Sequence, residues 1–422
     1  MTIRYTQRAV RSYLYGYAAA LLSAALIACG GGGGGATTDA ASTSNASAIA
    51  SQASASTDMV ELGRLLFSDP NLSEPRGTAC VACHAANRGH AGNHGSGLGV
   101  AQGSLPTSIG LRNSLTNGYS GLVPAFGFVV QNGALHARGG LFWDGRADTL
   151  AQQALGPFLN PLEMNNPSAT AVVNKIAAAP YAPLFQKVFG ASVWGDANAA
   201  FTQVGVAIEA FERATLQPFS SKFDAMVRGT TTLSAAEARG MALFTDPNRA
   251  NCSGCHTMNP GSGQPQDSSF SDFKYYALGV PRNSAIPNNA DPAFFDLGLC
   301  GPQRTAPTLP ASVPNGETID NFCGKFRVPT LRNVALRGAF MHNGFFSDLR
   351  EVVRFYASRN SNPVHWYGAS GIANDLPNTY LGNIEQTKAP FNRSPALGTL
   401  LTESEVTDLV TFMQTLNDGF VP

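Results

Sequence analysis

A mainly α, loop-rich fold built from two related domains is predicted by three features of the 422-residue sequence. A Cys-x-x-Cys-His pentapeptide occurs twice, as Cys80-Val-Ala-Cys83-His84 and as Cys252-Ser-Gly-Cys255-His256. Ahead of each stands nearly the same phrase, Gly63-Arg-Leu-Leu66-Phe67-Ser-Asp69-Pro70-Asn71 and Gly240-Met-Ala-Leu243-Phe244-Thr-Asp246-Pro247-Asn248, at an offset of 177 (240 minus 63). The 44 glycines and 26 prolines favour many loops between modest helices.

The chain opens with Arg4, Arg8 and Arg11, then an apolar run from Tyr13 to Ile27 and small residues up to Cys29. That is the order of an export signal, and the run is shorter than the roughly 20 apolar residues a spanning helix needs. Leu26-Ile27-Ala28-Cys29 resembles a bacterial lipobox, in which Cys29 would carry lipid and become the mature N-terminus; an ordinary cleaved signal with an incidental cysteine is the other reading. Residues 1–29 are thus expected to be the leader. The Gly/Ala/Ser/Thr tract 30–57 is too poor in apolar residues to fold and reads as a tether. The expected location is the periplasm, with contact to a membrane, the outer one by preference, through the N-terminal lipid only.

Two domains follow, 58–232 and 233–422, the second opened by the Ser-capped helix start Ser234-Ala-Ala-Glu237. Helices are expected over Met59 to Phe67, over Met241 to Phe244, and over 149–155, 168–178, 199–214, 347–357 and 403–416. Extended sheet is not expected, beyond a short strand pair in a loop. A second echo supports duplication: Leu111-Arg112-Asn113 recurs as Leu331-Arg332-Asn333. Trp143-Asp144-Gly145 recurs as His342-Asn343-Gly344 at an offset of 199 (342 minus 143).

Charge balances at 28 basic and 28 acidic residues, so no basic stripe suggests nucleic acid. In Cys-x-x-Cys-His the two thiols form thioethers to a porphyrin and the histidine ligates its iron. One such motif could be a zinc half-site or a redox dithiol; two in an exported chain indicate two covalent c-type haems, attached through Cys80, Cys83, Cys252 and Cys255, with His84 and His256 as proximal ligands. Of the remaining cysteines, Cys300 and Cys323 close a Pro/Gly-rich loop and are read as a disulfide, the alternative being two unrelated thiols. An electron-transfer haem has both axial positions filled, whereas one that reduces hydrogen peroxide needs an open position and a polar group to move a proton.

The stretch Phe142-Trp143-Asp144-Gly145-Arg146-Ala147-Asp148, leading to Gln153, Pro157 and Asn160-Pro161-Leu162-Glu163-Met164, together with Val328-Pro-Thr-Leu-Arg-Asn333, resembles the bacterial dihaem cytochrome c peroxidases. The MauG-like branch is the more similar, over residues from about Met59 to Phe420. The resemblance implies that Glu163 is the acid–base group over the first haem, with Gln153 and Pro157 beside it. It implies that Trp143 lies between the haems, and that Asn113 with the carbonyls of Arg337 and Ala339 holds a calcium ion between the domains. Without the resemblance, Glu163 reads equally as a solvent-facing helix-start carboxylate and Trp143 as core packing.

Two departures from classical members matter. Where those carry a distal histidine, this chain reads Leu105-Pro-Thr-Ser-Ile-Gly-Leu-Arg112. His90 and His94 lie earlier and read as loop residues, so the first haem is expected to stay open. Where classical members place a methionine ligand for the second haem, fourteen residues past His342, this chain has Tyr356, as MauG-like proteins do. Tyr356 is the expected sixth ligand, with Met341 as the alternative. The expected activity is hydrogen peroxide reduction at the first haem through a high-valent two-haem state. An outside donor would then be oxidised, either a small electron-donor redox protein or a Trp or Tyr of a partner protein. A pure electron carrier, with both irons six-coordinate, is the non-enzymatic alternative.

Overall fold

Helix α1 (57–68) is the first element of the computed structural model, which describes residues 57–421. The leader, Cys29 and the tether up to residue 56 lie outside the described residues. On α1, Leu62 and Leu66 recur at helical spacing and are fully buried. The helix stops at Asp69-Pro70, where the Asp69 carboxylate accepts from the Asn71 backbone N–H. A single helical turn, Cys80–Cys83, then presents His84 as its C-cap.

Helices α2 (Leu150–Leu159), α3 (Ala169–Ala177), α4 (Ala182–Phe189) and α5 (Ala197–Thr215) complete the first half, and α6 (Lys222–Val227) sends Phe223 and Val227 into the core of the second. The second contains α7 (Ala235–Thr245), α8 (Leu349–Ser358), α9 (Pro363–Tyr367) and α10 (Glu403–Gln414). The architecture is helix-rich. Among the described residues the strands form two antiparallel pairs, β1 (Gly127–Gln131) with β2 (Ala134–Arg138), and β3 (Tyr275–Tyr276) with β4 (Phe326–Arg327). No described helix is long and apolar enough to cross a membrane.

Each half has its own apolar core. Leu62, Leu66, Phe158, Phe185, Val204 and Ile208 form one; Phe244, Phe270, Phe355, Leu409 and Phe412 belong to the other. The recurring phrase has the same job in both. A Cβ on Gly63 would stand 2.0 Å from the Ala207 carbonyl oxygen of α5, and a Cβ on Gly240 would stand 2.0 Å from that of Asp408 on α10. Glycine is required at both positions because backbone meets backbone. The second echo also matches in geometry. Left-handed Phe142 and Met341, and left-handed Gly145 and Gly344, sit inside equivalent one-bridge turns, Leu141–Ala147 and Phe340–Phe346. The helices that follow begin at Leu150 and Leu349, again 199 apart (349 minus 150).

The differences from expectation have local causes. Helix α2 runs past residue 155 to Leu159 with Pro157 inside it, because a proline forfeits one hydrogen bond without ending a packed helix. Helix α4 was masked by Pro180 just ahead of it and Pro183 in its first turn, where a proline gives up an N–H that has no helical partner anyway.

Replacing Gly240 by Ala should destabilise the haem-loaded protein by at least about 2 kcal/mol, read as a lower urea midpoint, since the α7–α10 contact would have to open. A midpoint within error of the parent would contradict that packing.

Candidate active site

The two Cys-x-x-Cys-His turns place their histidines alike. His84 Nδ1 lies 3.0 Å from the carbonyl of His90, and His256 Nδ1 lies 2.9 Å from that of Phe270. With Nδ1 donating, each Nε2 is left as a lone pair, as an iron ligand requires. Burial pushes both imidazoles down to about 4, which keeps them neutral. Cys80 and Cys83 line one cavity with His84, and Cys252 and Cys255 line another with His256. These residues fit two c-type haems. His90 serves through its backbone, and the His94 ring is held by the Gln102 carbonyl at 3.0 Å; neither ring lines the first cavity.

Gln153 and Pro157, one turn apart on α2, line the first cavity together with Glu163. Glu163 sits in the turn after α2 and accepts from the Asn160 amide at 3.0 Å. Its burial raises the carboxyl pKa, and the charge of Arg146 and the Asn160 bond offset this only in part. The side chain is therefore in the cavity, not facing solvent. His84 is the one histidine among the cavity's described lining; Met164 borders it from within the first core.

Trp143 is buried and lines both cavities. Its indole N–H donates to the Asn113 carbonyl at 2.8 Å, and it meets His342 edge-on with centroids 6.5 Å apart. His342 itself is stacked on Phe326 and bonded through Nε2 to Asp375 at 3.1 Å, so that nitrogen is already engaged. Tyr356 on α8 and Met341 in the preceding turn both line the second cavity. The Tyr356 hydroxyl makes no hydrogen bond with the described residues.

The chain as a whole is similar to a known group of enzymes. The family model for di-haem cytochrome c peroxidase matches residues 57–232. Methylamine utilization protein MauG of Paracoccus denitrificans is 34% identical over 390 residues, covering 88% of this chain and 92% of that protein. The chain belongs to the di-haem cytochrome c peroxidase family. Cytochrome c551 peroxidase of Pseudomonas aeruginosa is 31% identical over 301 residues, covering 69% of this chain and 70% of that one. The solved diheme peroxidase BthA from Burkholderia thailandensis superposes with a TM-score of 0.78 at 40% identity, covering 85% of this chain and 86% of that chain. This family member is accordingly a peroxidase-type oxidoreductase.

Several residues of the site were not singled out from sequence. Arg112 is buried between two carboxylates, Asp144 at 2.7 Å and Asp296 at 2.6 Å, and Asp144 also holds Arg146. Arg332, the other arginine of the Leu-Arg-Asn echo, is fully buried against Asp224 at 3.0 Å. Gln303 reaches the first cavity from the segment closed by the Cys300–Cys323 disulfide. Buried Arg327 lines both cavities.

The residues of the expected calcium site meet through hydrogen bonds. Asn113 does approach the Ala339 carbonyl, but it turns its amide nitrogen to it at 3.0 Å, and the Arg337 guanidinium approaches the same oxygen at 3.3 Å. Calcium needs that oxygen and the Asn113 oxygen for itself. The donor set of Asn113, Arg337 and Ala339 therefore does not fit the ion.

Glu212 on α5 was also missed. It is buried at the first cavity, accepts from the Asn117 amide at 2.6 Å, and leaves its Oε2 without a partner among the described residues. Burial pushes its carboxyl up to about 8. A folded-state value above the ordinary 4.5 means the folded chain keeps a proton the unfolded chain loses. Its destabilising effect is absent below that ordinary value, grows as pH rises, and is complete above about 8. Glu212→Gln should therefore stabilise the protein at pH 8 by an amount on the order of a few kcal/mol and leave acid stability near the parent's. Parallel stability–pH curves for the two proteins would contradict this.

Proposed function

We propose that this enzyme is a MauG-like peroxidase that takes hydrogen peroxide at an open first haem and oxidises a donor outside the haem pockets. The observation that carries the reading is Glu163. It is a carboxyl with a burial-raised pKa in the first cavity, whose described lining holds no second histidine. A carboxyl so placed can take a proton from one peroxide oxygen and return it to the other. Gln153 lies one turn from Pro157 on the same face and bounds the same space. When bound, the haems supply the iron that reduces peroxide and store its two oxidising equivalents. Trp143, bordering both cavities, joins them, and Tyr356 is the proposed sixth ligand of the second. A phenolate there would favour oxidised iron.

The same proposal includes duplication of one haem domain into 58–232 and 233–422, a reading supported by the matched glycine contacts and turns. It also includes export, lipid attachment at Cys29, the 30–57 tether and a periplasm-facing position on the outer membrane. The donor is either a small redox protein or a Trp or Tyr of a partner protein. The relatives' names include both MauG and cytochrome c551 peroxidase, and both donor classes are retained.

The test is an optical and near-infrared titration of the diferric protein with one equivalent of hydrogen peroxide, repeated for Glu163→Gln and Tyr356→Phe. The parent should convert without prior reduction to a long-lived oxidised species. Glu163→Gln should slow its formation by about 100-fold or more, and Tyr356→Phe should shorten its life. No reaction until one haem is reduced would overturn the open-haem reading and favour a classical cytochrome c peroxidase.

A further inference from the structure

We propose that the junction between the two haem halves holds no divalent ion, and that the Arg337 guanidinium, framed by Asn93 and Asn113, is the cation built into that place. One backbone group at the junction can only donate. The Ser114 N–H lies 2.7 Å from a side-chain atom of Asn93, which must therefore be its amide oxygen. The Asn93 nitrogen then faces the other way, to the Gly99 carbonyl at 2.9 Å and to Asn113 at 3.1 Å. Asn113 must accept there with its own amide oxygen. Its nitrogen is left to donate to the carbonyls of Ala339 at 3.0 Å and Met341 at 3.1 Å. The orientation of both amides thus follows from the hydrogen-bond chain.

A calcium ion would need the reverse, with the Asn113 oxygen and the carbonyls converging on it among six to eight oxygen ligands at about 2.3–2.6 Å. Here the nearest side-chain groups are N–H donors. Among the described residues no group of three or more His, Cys, Asp or Glu side chains could hold a metal. What occupies the junction is a charge. Arg337 donates through Nη2 to the Ser114 carbonyl of the first half at 2.8 Å, and approaches the Ala339 carbonyl of the second through Nε at 3.3 Å.

Arg337 makes no ion pair with the described residues. Burial lowers its pKa to about 10, with no acidic group offsetting it, which still leaves it charged at neutral pH. Its charge is felt at His84, and its side chain lines the second cavity. A divalent ion beside a fixed guanidinium would be repelled at short range. Arg337 is therefore a positioning residue. It ties carbonyls of both halves to one cation, as a bridging metal would, but it cannot be chelated away.

The experiment uses the holoprotein as isolated and does not depend on the peroxide chemistry. Calcium is measured after dialysis against metal-free buffer, and thermal unfolding and the ferric EPR spectrum are recorded with EGTA and with added calcium chloride. The same measurements are made on Arg337→Met and Arg337→Lys. The expected result is far less than one calcium per chain, and a melting temperature and spectrum indifferent to EGTA and calcium. Arg337→Met should melt lower and shift the first-haem signal, and Arg337→Lys should recover part of both. One calcium per chain, or a parent spectrum or melting point altered by EGTA, would overturn the proposal. So would an Arg337→Met protein indistinguishable from the parent. Should that variant fail to fold, the metal content and EGTA response of the parent decide alone.

Discussion

Asn113 commits every polar group it has to the junction on which both cavities depend. Its backbone N–H donates to the His342 carbonyl at 2.8 Å and its carbonyl takes the Trp143 indole N–H at 2.8 Å. Its side chain accepts from Asn93 and donates to the carbonyls of Ala339 and Met341. Trp143 is thereby held between the cavities by the same residue that fixes the turn carrying His342 and Met341. A buried polar group left unpaired costs about 1–3 kcal/mol, so a shift of either turn would strand several at once. The neighbouring Arg112, clamped by Asp144 and Asp296, fixes the Trp143-Asp144 turn from its other side.

Around that junction the two cavities differ in chemistry. The first gathers Glu163, Arg146, Gln153 and Glu212, groups that can hold or pass a proton. The second is more apolar and offers Tyr356 and Met341. The contrast is sharp where the helices match. Phe211 packs on Gly63 as Phe412 packs on Gly240, so the next residues, Glu212 and Met413, occupy equivalent places; one is a carboxyl and the other a thioether. In the proposed reading the first pocket handles peroxide and its protons, and the second holds an oxidising equivalent at an iron closed by a protein ligand.

Much of this was legible in sequence because it rests on local rules. The Cys-x-x-Cys-His turns, the Gly-x-x-Leu-Phe helices and the capped starts at Ser234 and Thr402 each announce themselves within a few residues. The β1–β2 hairpin had a readable signal, Asn132-Gly133 between two five-residue runs, both residues taking the left-handed conformation such a turn needs. What stayed hidden depends on distant partners. Asp296 lies 184 positions from the arginine it holds. The protonation of Glu212 depends on burial that no periodicity reveals. The orientation of Asn113 was hidden for the same reason: Asn113 and Ala339 do meet, but Asn93, twenty residues upstream, decides which atom Asn113 presents.

The central claim is that the two pockets are unequal, one iron open and one closed. The ferric EPR spectrum of the resting, fully oxidised protein at low temperature tests it most directly. The account predicts one high-spin signal from the first haem beside one low-spin signal from the second, without any added reductant. Two low-spin signals would mean that a protein ligand closes both irons, and would contradict the account.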